Sequence, residues 1–235
     1  MKKTTLFLAT AFVGLGLAGC GVNFYSGRPS DVHRIKELSA QMDRLMKQKL
    51  AEAQQLKDTQ ALLEQRLKKE IGEKQVKLEM AERGLVLTFV AEVLFDSGKA
   101  KIRPEAEETL AKVASVITEK VADRDIGIEG HTDNEPIKVS GWRSNWELST
   151  SRATSVLHLL EEKGVSPRQM VAAGYGEYRP VTSNDSLGGR KQNRRVEIVI
   201  LPKKLTRSEE ALLKKARATR QPELAGKVEE LEEYK

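Results

Sequence analysis

From Asp31 to about Ala81 the chain has no proline and a single glycine, Gly72, and it is built largely from Ala, Leu, Glu, Gln, Lys and Arg. These are strong helix formers, so the stretch reads as one long helical tether over residues 31–82. Beyond Gly84 the pattern changes to short alternating segments, which places a compact domain over 84–202. Within the tether, Ile35, Leu38, Met42 and Leu45 are spaced 3, 4 and 3 apart, as an a/d seam requires. The same frame then puts Lys49 and Glu52 in the seam, so the register slips. Leu50, Ala53, Leu56, Leu63, Leu67 and Ile71 continue an irregular stripe that leaves self-association through the tether open without specifying it. If straight, ~50 residues at 1.5 Å each span on the order of 75 Å.

In the compact segment, Leu85, Leu87 and Phe89 alternate with Val86, Thr88 and Val90 as in a first strand. Pro104 opens a helix with Glu105, Glu107 and Glu108 in its first turn and a buried stripe of Ala106, Leu110, Val113, Ala114, Ile117 and Val121. Ile126 and Ile128 belong to a second strand ending at Gly130. Ser144 and Glu147 form a capping-box pattern for a second helix that stops at Gly164, before Pro167. Met170 to Tyr175 and Val196 to Leu201 supply the last strands. This β-α-β-α-β-β order predicts an α+β domain, a mixed sheet with its helices on one face. Residues 203–235 form a charged tail with a helix from Ser208 to Ala218 and a break at Pro222. Aromatics at 5% and charged residues at 31% suit a modest core with long solvated helices. The net charge of +6 raises nucleic acid as a partner, but Lys and Glu alternate through both flanks, the mark of solvated helix faces.

The amino terminus begins with Lys2 and Lys3 and continues as an apolar run from Leu6 to Leu17, the build of a secretory signal over 1–19 and too short to span a bilayer comfortably. It ends Leu17-Ala18-Gly19-Cys20, which resembles the lipobox of bacterial lipoproteins. The resemblance implies acyl chains on Cys20 and a flexible lipidated leader over 20–30. Gly21 rather than Asp after the cysteine points, by the same resemblance, to the outer membrane and a chain facing the periplasm. A lone cysteine excludes an internal disulfide.

Five strings occur in order: Leu94-Phe95-Asp96-Ser97-Gly98; Glu129-Gly130-His131-Thr132-Asp133-Asn134; Ser144-Asn145-Trp146-Glu147-Leu148-Ser149 with Arg152-Ala153; Gly174-Tyr175-Gly176-Glu177 with Arg179-Pro180; and Gln192-Asn193-Arg194-Arg195-Val196-Glu197. Together they resemble the OmpA-like peptidoglycan-binding domain over about Leu85 to Leu201. The resemblance implies a non-catalytic wall anchor whose ligand is the diaminopimelate of the stem peptide. An ammonium and a carboxylate on one carbon call for an anion and a bidentate cation a fixed distance apart. At the matching positions Asp133 would take the ammonium and Arg152 the carboxylate. Phe95 would be an apolar wall, and Asp96 and Thr132 polar contacts. Helix geometry is consistent with this: Asn145, Leu148 and Arg152 fall within about 60° of one another, while Trp146, Ala153, Val156, Leu157 and Leu160 point to a different, core-facing sector. The segment from Asn134 to Ser144 is longer than in the lipoprotein members and nearer the stator members, with Trp142 either covering the site or packing beside it.

By residue type alone, Asp133 could cap a turn and Arg152 could be a surface ion pair. His131, Asp133 and Glu135 alternate as metal ligands can, but no further ligand at standard spacing joins them and the other histidines are at 33 and 158, so neither metal nor cofactor is expected. Gly174 and Gly176 read as turns, and Arg194 and Arg195 as structural or rim charges. No nucleophile has an activating neighbour, which argues against an enzyme. The competing role is a structural or assembly component of an envelope complex such as a motor or secretion apparatus.

Overall fold

The computed structural model describes residues 29–137, 141–219 and 222–232. The signal segment, Cys20 and most of the leader lie outside the described residues. In chain order the elements are α1 (Pro29–Arg66), α2 (Lys68–Gly72), β1 (Val76–Ala81), β2 (Gly84–Val90), α3 (Ala91–Leu94), α4 (Pro104–Lys120), β3 (Ile126–His131), α5 (Asn145–Glu162), β4 (Met170–Gly174), α6 (Leu187–Asn193), β5 (Arg195–Ile200), α7 (Arg207–Ala218) and α8 (Pro222–Glu232). Among the described residues no helix is long and apolar enough to cross a membrane.

The five strands form one mixed sheet in the order β1-β2-β5-β3-β4. β3 and β4 run parallel, as the α5 crossover between them requires, and the other pairs are antiparallel. One face carries Leu85, Leu87 and Phe89 of β2, Ile126 and Ile128 of β3, and Val196, Ile198 and Ile200 of β5. These pack in a single core with Leu110, Val113 and Ile117 of α4 and Val156 and Leu160 of α5. The helices lie on one face of a mixed sheet, as the element order implies.

The expected helix over 31–82 is corrected at its carboxyl end. Helix stops at Gly72, and Val76–Ala81 is a strand hairpinned onto β2, with Ala81 opposite Gly84. Lys74, at φ 56°, turns the chain out of the helix while Gln75 N–H donates to the Glu70 carbonyl at 2.9 Å. Val76, Leu78 and Met80 alternate with Lys77 and Glu79, a period of two hidden inside a helix-forming composition. The sheet therefore has one strand more than the β-α-β-α-β-β order supplies.

The tether is not a free spacer either. Its second half contributes Leu56, Leu63 and Leu67 to the domain core, and Arg66 pairs with Glu119 at 2.8 Å. Arg124, almost fully buried, donates to the Glu52 carbonyl at 2.8 Å and to the Gln55 side chain at 3.1 Å. Its first half presents Leu38, Met42 and Leu45 to Leu213, Ala216, Leu224, Val228 and Leu231 of α7 and α8, a second apolar cluster. The seam seen in the sequence is thus filled by the chain's own tail. Lys49 and Glu52, where the seam frame breaks, are the polar junction between the two clusters: the Lys49 ammonium is buried, 2.8 Å from Glu52 and 3.3 Å from the Lys203 carbonyl.

Candidate functional site

The site forms where the carboxyl end of β3 meets the amino end of α5. Ser144 caps α5 by accepting from the Trp146 N–H at 3.1 Å, and its hydroxyl also meets the Glu147 carboxylate. Two glycines let α5 lie directly on the sheet. A side chain at Gly130 would collide with the Ser149 carbonyl, and one at Gly174 with the Thr150 backbone nitrogen. Gly174 is therefore a strand residue needed for close approach rather than a turn, whereas Gly176, at φ 54°, is in the left-handed region that favours glycine. The close packing aims the first turns of α5 over a cavity of about 580 Å³.

All seven residues picked out in the sequence line this cavity: Phe95, Asp96, Thr132, Asp133, Asn145, Leu148 and Arg152. They do so in different ways. Phe95 and Leu148 are buried apolar wall, and the Arg152 guanidinium carbon lies 5.2 Å from the Phe95 ring centroid. Arg152 spends its Nε on the Lys99 carbonyl at 3.0 Å, and among the described residues its two terminal nitrogens have no hydrogen-bond partner. Burial, reinforced by Arg194 and opposed by Asp133 and Glu92, pulls its pKa down to about 10, so it stays cationic at neutral pH. Thr132 is buried with its hydroxyl unpartnered among the described residues. Asn145 has a positioning role: its amide nitrogen lies 3.3 Å from the Asp133 carbonyl, 3.1 Å from that of Glu135 and 2.7 Å from the Glu177 carboxylate, tying the β3–α5 loop to the helix. Asp96 sits at the exposed rim, 3.1 Å from the Lys99 ammonium.

The residue the sequence undervalued is Arg194. It crosses from the start of β5 to the Asp133 carboxylate at 2.5 Å and also pairs with Glu92, and both Arg194 and Glu92 line the cavity. Burial alone would lower the Arg194 pKa, but the two carboxylates outweigh it and raise it. Nothing in the local string separates Arg194 from Arg195. They are consecutive at the entry to β5, Arg194 reaching the cavity and Arg195 the back of the sheet.

One further expectation is revised, and two groups left open by the sequence take definite places. Trp146 is not core: it is 47% exposed and stacks on Tyr178 with centroids 5.0 Å apart. Trp142 packs beside the cavity, its indole N–H donating to the Gly98 carbonyl at 2.8 Å. His131, Asp133 and Glu135 do not converge. His131 points to the sheet's back, stacked on Tyr175 at 5.3 Å, near Glu129 and Glu197. Both carboxylates are already taken by the Arg83 guanidinium, and Glu197 also by Arg195 at 2.6 Å. Burial, then the charge of Arg195, lowers the His131 pKa to about 3, leaving the ring neutral.

A sequence profile described as the OmpA family matches residues 94–194, the stretch that holds the cavity. The chain is 32% identical over 122 residues to the outer-membrane lipoprotein YfiB of Pseudomonas aeruginosa, covering 52% of this chain and 70% of that protein. The chain belongs to the OmpA family. Another relative of this OmpA-family chain, motility protein B of Bacillus subtilis, is 42% identical over 156 residues, which cover 66% of this chain and 59% of that protein. The cell wall anchor of the T6SS from Pseudomonas aeruginosa superposes with a TM-score of 0.55 at 33% identity, over 60% of this chain and 97% of that one. These relatives are named as a motility protein, a lipoprotein and a wall anchor, and this OmpA-family domain is a non-catalytic one. The chain spans between 48% and 59% of the length of three of its curated relatives.

Proposed function

We propose that this chain holds peptidoglycan non-covalently, with the diaminopimelate head group of a stem peptide in the cavity at the β3–α5 junction. The observation that carries the reading is a buried, cationic Arg152 whose terminal nitrogens are unspent beside an open volume, with the Asp133 carboxylate lining the same cavity. A free guanidinium edge suits a ligand carboxylate bidentately, and Asp133 offers an acceptor for the adjacent ammonium. Thr132 adds a polar wall residue, and Phe95 and Leu148 receive the methylene chain.

Anchoring through acyl chains on Cys20, with the domain facing the periplasm from the outer membrane, completes the reading. It rests on the Leu17–Cys20 string and on similarity to outer-membrane lipoproteins. Similarity to motility protein B and to a secretion-system wall anchor favours a second role, as the wall-gripping part of an envelope machine. On this reading the wall-binding unit starts at Val76 rather than 84. Self-association through Leu38, Met42 and Leu45 would first have to displace α7 and α8.

Titration of the full chain with a muropeptide carrying diaminopimelate, beside one carrying lysine, tests the proposal. Tighter binding of the diaminopimelate form is expected, because lysine lacks the second carboxylate. Equal affinity would remove Arg152 from the mechanism.

A further inference from the structure

The apolar face of α1 is one continuous stripe with two different partners. Leu38, Met42 and Leu45 face α7 and α8, whereas Leu56, Leu63 and Leu67 sit in the domain core. Steps of four, three and four from Leu45 through Lys49 and Glu52 to Leu56 keep both sets on the same side of the helix. We infer that α7 and α8 are a splint, packed on the part of this stripe that the domain core does not cover, and that they make the tether a rigid strut of a single chain. The inference concerns α1 and the tail, both outside residues 94–194, and does not depend on the ligand proposed above.

Two occupants compete for the first half of the stripe, a second copy of α1 and the tail. A parallel α1 laid along Leu38 to Leu45 would continue on the same side into the place filled by the domain core. It would be stopped near Glu52 after about two heptads, fewer than a sustained coiled coil uses. The tail meets no such obstacle. Lys203 pairs with Asp123, and Lys204 with Asp125 at 3.0 Å, so the segment leading to α7 is pinned to the domain. Thr206 and Glu209 then form a reciprocal cap that starts α7, and the Gln48 amide lies 3.4 Å from the Glu209 carboxylate. On α8 the Lys227 ammonium reaches the Ser39 hydroxyl at 2.9 Å and the Asp43 carboxylate at 2.6 Å, beside the buried Leu224, Val228 and Leu231.

Helix physics gives the consequence. Residues 29–48 rise about 30 Å as helix at ~1.5 Å per residue. A lone helix of that length is marginal in water, because most helical stability in proteins comes from packing an apolar face. Without the tail the same residues become a flexible coil whose r.m.s. span, on the order of 25 Å, is close to the helix length but broadly spread. The splint therefore sets the stiffness of the tether more than its mean length.

The test uses the full chain carrying Cys20→Ser, with nitroxide labels at Val32→Cys and Lys163→Cys, both exposed, and reads the distance distribution between them beside hydrogen exchange along α1. A single narrow distance is expected. Leu224→Asp with Val228→Asp, which puts carboxylates into the tail cluster, should widen the distribution at least about twofold. The same pair should speed exchange over residues 35–47 at least about tenfold and leave the β2 and β5 amides unchanged. Lys227→Glu, which faces Asp43 with a like charge and leaves the apolar contacts in place, should shift both readouts the same way by less. A narrow distance and slow exchange in the double variant would mean that α1 stands without the tail, and the inference falls. It falls equally if the distribution is already broad with the tail intact, or if light scattering shows a dimer that Met42→Asp dissociates, since the stripe would then serve a second copy.

Discussion

Two groups of buried charge lie on opposite sides of β5, and they end in different states. On the back of the sheet, Arg195 bonds Glu197 and the carbonyls of Asn193 and Arg179, and Arg83 bridges Glu197 and Glu129. At the β3–α5 junction, Arg194 bonds Asp133 and Glu92, but among the described residues the two terminal nitrogens of Arg152, which lines the cavity, have no partner, and neither has the buried hydroxyl of Thr132. Burial and pairing of charge are common to both groups and so do not mark a site. What differs is hydrogen-bonding capacity left unspent next to space for a ligand.

The comparison predicts opposite phenotypes for the two buried arginines. Arg195→Ala leaves Glu197 buried with only Arg83 to balance it, so unfolding stability should drop by about 3–5 kcal/mol in denaturant titrations, while affinity of the folded fraction for diaminopimelate muropeptide holds. Arg152→Ala should do the reverse. Affinity falls by about 2 kcal/mol or more, on the order of thirtyfold, because a ligand carboxylate is stranded in the cavity. Its melting temperature stays close to wild type, since removing a desolvated cation offsets the lost contacts with Phe95 and the Lys99 carbonyl. A thermally fragile Arg152→Ala that binds normally would reverse the assignment of the two groups.

How far these differences could be read in advance depended on range. Local patterns carried the Ser144 cap, the α4 and α5 stripes, and the strands β2, β3, β4 and β5, while the short list of cavity residues came from the family resemblance of five strings in a fixed order. Long-range pairing did not show. By composition β1 reads as helix, because Lys, Glu, Met and Leu favour helices, and only its hairpin with β2 makes Val76–Ala81 a strand. The angle of Trp146 around α5 points it to the core, yet it sits exposed in the first turn, where Tyr178 stacks on it. Arg194 and Arg195 are indistinguishable in the string and opposite in space. The seam at Leu38, Met42 and Leu45 was visible, but its partner was not, because α7 and α8 return to it from the far end of the chain.

His131 gives the back of the sheet a pH dependence in the weakly acidic range. Its pKa falls from 6.5 to about 3 on folding, through burial and then the neighbouring Arg195. As pH drops below 6.5 the unfolded chain takes up a proton that the folded one refuses, so stability declines toward about pH 3, by about 2 kcal/mol between pH 7 and pH 5. Denaturant midpoints at the two pH values should show this loss in wild type. In His131→Phe, which keeps a ring against Tyr175, the loss should shrink. Parallel slopes would mean that His131 is solvated and the back cluster is looser than the bonding pattern implies.

The smallest effect is expected at Asp133, although it would face the ligand ammonium. Its carboxylate is shared with Arg194 at 2.5 Å, and Arg194 is held in turn by Glu92. Asp133→Asn keeps an acceptor oxygen at the same place and removes a charge already half neutralised, so the expected loss is about 1.4 kcal/mol, on the order of tenfold in affinity. Removing Glu92 as well frees Arg194 to repel the ammonium, and the double variant Asp133→Asn, Glu92→Gln should lose more than the sum of the singles, a coupling measurable in a double-mutant cycle. If Asp133→Asn alone costs as much as Arg152→Ala, the ammonium contact outweighs the screening by Arg194, and the ligand takes Asp133 away from that arginine when it binds.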